Sequence, residues 1–448
     1  MNASSHLTIG FVPVARPTFD IPLATSVTDR VRLRLVDAGF TLIGPQGLVT
    51  SLEDAAEAAH HLAENPPDLL LVFQATFADS TMVMQLVETV DAPILLWAIP
   101  EAPTGGRLRL NSLCGINLDV HALTRAGFSY NTIYAPPDDT SALNTIHTLA
   151  LAGHVRRRLQ HTRIGRIGTH PDGFETCIPH PAALKTQIGL ELVQLELATV
   201  FDGTRSAAPA QIDAVQQQLH SQLDGLDTVD QGALRSTLAT YVTLRDLAER
   251  DHLDGFAVRC WPQFFTELGC AACGALSLLT DERTPCSCET DVNGTVTQLI
   301  LQWLSGETAF GSDIVSFDMD ANTAVFWHCG KAPLSMADPT VKPRATIHSN
   351  RQMPLLMEFP LKPGRVTLAR LSEATGQFRL VIGSGDVLQA PISFTGTSGV
   401  VRFDRPARDV LDTILAEGLE HHLAMTYGDH VDALLALARM LDLPVLCL

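Results

Sequence analysis

Two carboxylates, Glu289 and Asp313, stand 24 residues apart at the two ends of one apolar helical run, in the stretch C-S-C-E-T-D-V-N-G to F-G-S-D that opens at Cys286. Neighbouring imidazoles, His421 and His422, arrive far downstream in G-L-E-H-H-L-A-M-T-Y-G-D-H. Acids are costly to bury unless paired or bound to a cation, and both acids lie beside apolar segments. Two carboxylates and one imidazole with an open face suit a divalent ion such as Mn²⁺. Such a centre can hold a carbonyl and an adjacent hydroxyl of a ligand while a carboxylate moves a proton. The plain alternative is an exposed helix start and an ordinary loop acid. Asp291, at the helix N-terminus where a carboxylate meets the dipole favourably, reads as a cap and not a ligand. Successive strand residues face opposite ways, so at most one of the two histidines is expected to reach a given ion. Glu420, Asp429 and His430 raise the local density of groups able to fix an imidazole tautomer.

Further candidates are less specific. His328, in F-W-H-C-G-K-A-P, is either a substrate or supporting contact or a structural histidine at a strand end. Arg16, stiffened by Pro17, is either an anion or hydroxyl clamp or a plain surface arginine. Cys270, Cys273, Cys286 and Cys288 have a loose zinc-knuckle spacing, but buried cysteines commonly act as small hydrophobes. A zinc hydrolase built on them or on the histidines lacks an H-E-x-x-H motif, and no G-x-x-x-x-G-K-[ST] loop supports nucleotide binding. The G-S-G at 383–385 reads as a strand turn.

The elements that must position these residues follow from length and periodicity. A chain of 448 residues exceeds one core. Its 46% hydrophobic and 18% charged content marks it as globular. A net charge of −18 without a basic run argues against nucleic acid and against an anionic membrane as partners. No apolar run is long enough to span a bilayer, and no signal-peptide pattern opens the sequence. Nine cysteines without a secreted framework imply reduced thiols and a cytoplasmic location. Apolar runs at 6–14, 68–74 and 93–99 alternate with helical stretches at 28–38, 51–64 and 82–90, which predicts a doubly wound sheet. Loops at 15–20, 75–79 and 110–115 then fall at the carboxyl ends of strands. A helix over 141–160 leads to a second α/β part, with a strand at 163–168, helices near 183–196, 209–224 and 231–250, a strand at 255–261 and a helix at 269–279. Residues 313–404 are rich in Val, Thr, Phe and Gly with period-two alternation, and predict a β-rich barrel. A helix near 429–441 and the strand P-V-L-C-L close the chain.

Taken in order, C-E-T-D-V-N-G, the helix, L-S-G, S-D, H-C-G-K-A-P and E-H-H-L-A-M-T-Y-G-D-H resemble the L-fucose isomerase/L-arabinose isomerase superfamily, on its fucose isomerase-like branch. A-R-P-T-F-D, T-F-A-D, L-N-S-L-C-G and R-C-W-P-Q-F are similar to its N-terminal and middle landmarks. The resemblance implies two doubly wound α/β domains, 1–150 and 151–305, and a β-rich C-terminal domain, 306–448. It implies an aldose–ketose isomerase that acts on an open-chain deoxy, pentose or modified sugar through a cis-enediol. Glu289 and Asp313 match the catalytic, metal-binding carboxylates and His422 the metal-binding histidine, with Mn²⁺ as the ion and Co²⁺ or Mg²⁺ as alternatives. Arg16, Phe77, Trp261 and Gln263 resemble substrate contacts, and His328 resembles either a substrate contact or an additional histidine ligand found in the arabinose branch. A homo-oligomer, hexameric or trimer-based, is implied. The sequence departs from the family in carrying His421-His422 where Asn-His is usual and C-S-C before the glutamate, which bears on the sugar. The other reading is a non-catalytic sugar-binding or regulatory protein on the same scaffold.

Overall fold

The computed structural model describes residues 7–448. They fall into two compact units, one reaching to Arg157 and the other Arg158–Leu448.

The first unit holds a five-stranded sheet in the order Thr41–Ile43, Thr8–Val14, Leu69–Gln74, Ile94–Ala98, Tyr130–Tyr134. All its neighbouring strands run parallel. Every residue of Leu69–Gln74 and Ile94–Ala98 is buried, which is why both read as unbroken apolar runs. The strand expected at 6–14 is found as Thr8–Val14, and His6 lies outside the described residues. The helix expected at 28–38 begins earlier, as Ile21–Asp37, because the Asp20 side chain accepts the Leu23 N–H at 3.1 Å and proline stands in its first turn. Ser51 and Asp54 form the expected capping box of Leu52–Glu64. The segment expected as a loop at 110–115 instead enters a helix, Ser112–Ala126. Its Gly115 packs flat on Gln74, where a Cβ would fall 2.0 Å from Nε2.

The second unit opens with a four-stranded parallel sheet in the order Glu191–Leu195, Arg163–Ile167, Gly255–Val258, Cys286–Cys288. The helix expected at 183–196 is corrected here. Only a short helical turn reaches Ile188, Gly189 breaks it at φ 99°, and E-L-V-Q-L pairs as an edge strand. Those five residues carry no period-two alternation, and a helical pattern read across Gly189 hides the break that the glycine makes. After the sheet comes the helix Val292–Ser305, buried on every side from Val292 to Leu304. Six antiparallel strands then close into a barrel: Phe310–Asp318, Thr323–His328, Thr397–Phe403, Arg379–Leu388, Gly364–Ser372 and His422–Tyr427. The fold class is thus the expected one, parallel α/β sheets followed by a barrel. One hydrophobic core, including Phe256, Leu276, Phe326, Leu368 and Met425, is shared by the second sheet and the barrel. That common core fixes the carboxyl end of the sheet against the barrel strands. Among the described residues no helix is long and apolar enough to cross a membrane.

Candidate active site

The edge strand Cys286–Cys288 ends in two successive left-handed residues, Glu289 at φ 59° and Thr290 at φ 57°. Side chains with a Cβ pay for that conformation, so it persists only where surrounding bonds impose it. Here the Thr290 N–H donates to the Val258 carbonyl at 3.1 Å and the Asp291 N–H to the Cys288 carbonyl at 3.0 Å. The kink turns the Glu289 carboxylate toward the barrel. Asp291 then caps the helix, its Oδ1 accepting the Gly294 N–H at 2.9 Å. Position 294 has no room for a side chain, since a Cβ would sit 2.4 Å from Asp291 Oδ2.

The barrel supplies the other half by register. Asp313 lies directly opposite His422 on one neighbouring strand and opposite Trp327 on the other. His328 ends the latter strand, and its ring stacks on His422 with centroids 5.7 Å apart. His422 Nε2 is 3.4 Å from Glu289 Oε2 and 3.4 Å from Asp313 Oδ1. Its Nδ1 faces Asp291 Oδ2 at 2.9 Å. Because that nitrogen must carry a proton to reach a carboxylate, a neutral His422 ring turns its Nε2 lone pair toward the two acids.

His328 has the opposite tautomer. Its Nδ1 accepts the Cys329 N–H at 2.8 Å, so a neutral ring keeps its proton on Nε2, which is buried without a hydrogen-bond partner. Asp313 Oδ1 is also buried without one. Asp313, His328 and His422 bring ligand-type atoms within 4.8 Å of one another, as do Cys177, Glu289, His421 and His422. Unpartnered buried polar atoms converging this way are an unmet demand for a cation or a polar ligand. The donor set of Glu289, Asp313 and His422 Nε2 fits a divalent ion of the oxygen- and imidazole-binding class. Cys177 fits less well, because burial and the charge of Asp291 keep its thiol protonated.

Electrostatics separate the two carboxylates. Burial pushes Glu289 up, but His421, His422 and Trp261 outweigh it and hold the acid below its ordinary range. For Asp313 burial wins over the nearby histidines and Lys331, and its pKa is raised. Asp291 is driven far down despite burial by Arg370 and His422. Burial, reinforced by Lys331, drives His328 down, which keeps the ring neutral.

Trp261 donates its Nε1–H to Glu289 Oε1 at 3.2 Å, so it joins the group. Gln263 stands one step back, accepting from Arg259 Nε at 3.0 Å. Arg16 and Phe77 meet each other in the first unit, with the guanidinium 5.4 Å from the ring. Asp429 faces Arg365 at 3.8 Å, and His430 bonds the Tyr427 carbonyl. Neither belongs to the group. The expectation that one histidine at most would reach the centre is corrected: His421 Nε2 also approaches Glu289 Oε2, at 3.2 Å. His421 precedes the strand His422–Tyr427 and sits in a bend, so strand alternation does not apply to it. The four cysteines at 270, 273, 286 and 288 do not form one of the possible metal-holding groups among the described residues.

Three residues were missed from sequence. Asp291 acts beyond its cap as the anchor of the His422 tautomer. Arg370, 1% exposed inside the barrel, pairs with Asp291 at 2.5 Å and approaches Glu420 at 3.8 Å. Lys331, 3% exposed, donates to the Cys286 carbonyl at 3.2 Å. The lysine in H-C-G-K-A-P was visible as a charge inside an apolar segment. The arginine in R-V-T-L-A-R-L was visible as a charge in a strand otherwise suited to the core.

Comparison with known proteins defines the class. Residues 326–448 match the L-fucose isomerase C-terminal domain, and residues 10–151 match the fucose/sulfoquinovose isomerase N-terminal domain. The chain is 32% identical over 440 residues to the sulfoquinovose isomerase of Priestia megaterium, and equally to that of Priestia aryabhattai, covering 98% of each chain. It is 30% identical over 440 residues to the sulfoquinovose isomerase of Alkalicoccus urumqiensis, covering 98% of this chain and 99% of that one. The chain belongs to the fucose/sulfoquinovose isomerase family and is a sugar aldose–ketose isomerase.

Proposed function

We propose that this enzyme interconverts a 6-sulfonated aldohexose, sulfoquinovose, and its 2-ketose through a cis-enediol, with a divalent ion, Mn²⁺ in the first place, held by Glu289, Asp313 and His422. The observation that carries the reading is the convergence of the Glu289 and Asp313 carboxylates on His422 Nε2, where Asp313 Oδ1 and the neighbouring His328 Nε2 are buried without hydrogen-bond partners. The sugar is suggested by near full-length similarity to sulfoquinovose isomerases. When bound, a divalent ion supplies Lewis acidity toward the C1 carbonyl and C2 hydroxyl oxygens and so acidifies the C2 hydrogen.

The protein's part is positioning and proton movement. One of Glu289 and Asp313 takes the C2 proton, and the other returns a proton at C1 or manages the hydroxyl proton. Asp291 holds the His422 ring in orientation. The His328 Nε2–H is available to donate to a substrate oxygen. Trp261 fixes Glu289 and offers an indole wall. The three-domain division at 150 and 305, a homo-oligomer that is hexameric or trimer-based, and roles for Arg16, Phe77 and Gln263 in sugar binding belong to the same proposal. A cytoplasmic location fits the nine unpaired cysteines.

The test is to strip the protein with chelator, restore Mn²⁺ and follow sulfoquinovose by NMR in D₂O. Metal-dependent ketose formation with deuterium incorporated at the transferred carbon is expected. Tight sugar binding without any exchange would instead mark a non-catalytic binding protein.

A further inference from the structure

Arg351 stands one indole away from Glu289. Its guanidinium carbon lies 5.0 Å from the Trp261 ring centroid and 5.0 Å from that of Phe265. The other end of the Trp261 indole, Nε1, touches the Glu289 carboxylate at 3.2 Å. The same aromatic wall continues through Phe174, edge-on to Trp261 at 5.4 Å, to His421.

The arginine is held from behind. The Arg351 and Gln352 N–H groups both donate to the His348 carbonyl, at 3.2 and 2.7 Å. His348 is itself buried, with its ring edge-on to Phe265 at 5.4 Å. The turn is thus pinned to the aromatic cluster that orients the guanidinium. Ring faces balance part of a positive charge but accept none of its five N–H donors in the plane of the fork.

Among the described residues Arg351 makes no ion pair, and no protein acceptor meets its side-chain donors. Other arginines near candidate substrate positions are already engaged. Arg16 pairs with Asp79 at 2.9 Å. Arg259 donates to Gln263, Thr169 and the His170 carbonyl. Arg351 therefore presents an oriented guanidinium with its fork unused, on the wall that leads to the reacting carboxylates. A planar fork of this kind matches the oxygens of a sulfonate or phosphate bidentately.

We propose that Arg351 is the anion clamp of this enzyme, receiving the charged tail of the sugar while its C1–C2 end meets Glu289 and Asp313. This deepens the proposed function and rests on it. The experiment measures kcat and KM of the Mn²⁺-loaded full chain for sulfoquinovose and for its neutral analogue 6-deoxy-D-glucose, in the wild type, Arg351→Gln and Arg351→Lys. Melting temperatures establish that each variant is folded, and ethanesulfonate serves as a competitive inhibitor.

Expected is a roughly 100-fold loss of kcat/KM for sulfoquinovose in Arg351→Gln, mainly in KM, with the neutral sugar changed less than about threefold. Arg351→Lys should fall between, and ethanesulfonate should inhibit the wild type well below the concentration needed for Arg351→Gln. Equal losses on both sugars would make Arg351 a packing residue and overturn the clamp, as would an unchanged preference for the sulfonated sugar. A wild type that ignores sulfoquinovose and turns over neutral sugars would overturn the substrate reading and the clamp together. Should Arg351→Gln not fold, the same two ratios in Arg351→Lys decide the matter.

Discussion

The two parallel sheets of this molecule share a winding pattern but end differently. At the reversal point of the first sheet, the charged groups find partners within the unit, although Gln74 Oε1 is buried without one. Arg16 meets Asp79, and the Arg16 N–H donates to Thr76 Oγ1 at 2.8 Å. Arg109 meets Asp20 at 2.8 Å, and Glu101 gathers the N–H groups of Arg109, Leu110 and Asn111. At the end of the second sheet the pattern is reversed. Glu289 is thrown out on a left-handed kink, and Asp313 Oδ1 and His328 Nε2 are buried with nothing to bond. The same topology gives a self-satisfied loop cluster in one place and an unmet demand in the other. The difference comes from what packs on the sheet: the barrel brings Asp313, His328 and His422 by strand register to one point. Unpaired polar atoms cost stability, so a cluster of them marks where a ligand is to supply the missing bonds.

The sharpest way to break this contrast is to remove one of the converging charges. Glu289→Gln should lower turnover at least about a thousandfold while the melting temperature stays within a few degrees, since the amide keeps the shape of the acid. Retained activity on the metal-loaded enzyme would remove Glu289 from the chemistry.

Next in size is an exception inside the first unit. Asp119 is 1% exposed, both its oxygens lack partners, and burial, aided by the charge of Asp79, pushes its pKa up to about 8. Its folded pKa lies above the unfolded one, so the folded state holds the extra proton. The resulting stability is complete below roughly pH 4 and is lost as the pH rises toward about 8. Asp119→Asn should remove this dependence, stabilising the protein by up to ~4 kcal/mol at pH 7 with the gain vanishing near pH 4. Denaturant titrations at several pH values check it, and parallel curves for both proteins would show that Asp119 has a partner. Asp68 is the contrasting case in the same unit. It too is fully buried, but although burial raises its pKa, bonds from His154, the Thr8 N–H and Arg157 leave the net shift downward.

Asp291→Asn tests the support of the site. Loss of a carboxylate that both orients His422 and pairs with buried Arg370 should weaken Mn²⁺ binding about 10- to 100-fold and cost about 3 kcal/mol of stability. Metal titration with chemical denaturation separates the two effects. Unchanged metal affinity would leave Asp291 as a cap alone. The smallest effect is expected at the self-satisfied end. Arg16 and Asp79 are both more than 40% exposed, so Arg16→Gln should change stability by less than about 0.5 kcal/mol. A larger loss by calorimetry would show that this end is not merely surface.

Much of the scaffold was legible from periodicity. Buried parallel strands such as Leu69–Gln74 are short apolar runs between helical segments, and the β alternation after Asp313 announced the barrel. The pair Glu289 and Asp313 was legible as acids beside apolar sequence. Glu191–Leu195 was misread because a five-residue edge strand behind a glycine carries little signal against a helical neighbour. His421 was set aside because strand alternation was extended one residue too far, into a bend. Arg351 left no sequence signature: its partners, Trp261 and Phe265, are some 90 residues away, and only the folded chain places the three together.

We propose that the convergence at the end of the second sheet is a metal centre with His422 as ligand and His328 as donor to substrate. The most direct measurement is a Mn²⁺ titration, read by electron paramagnetic resonance, of the wild type, His422→Ala and His328→Ala. The expected result is one tight site in the wild type, preserved in His328→Ala and lost in His422→Ala. Binding lost with His328 and kept without His422 would contradict the assignment of the two tautomers and of the centre built on them.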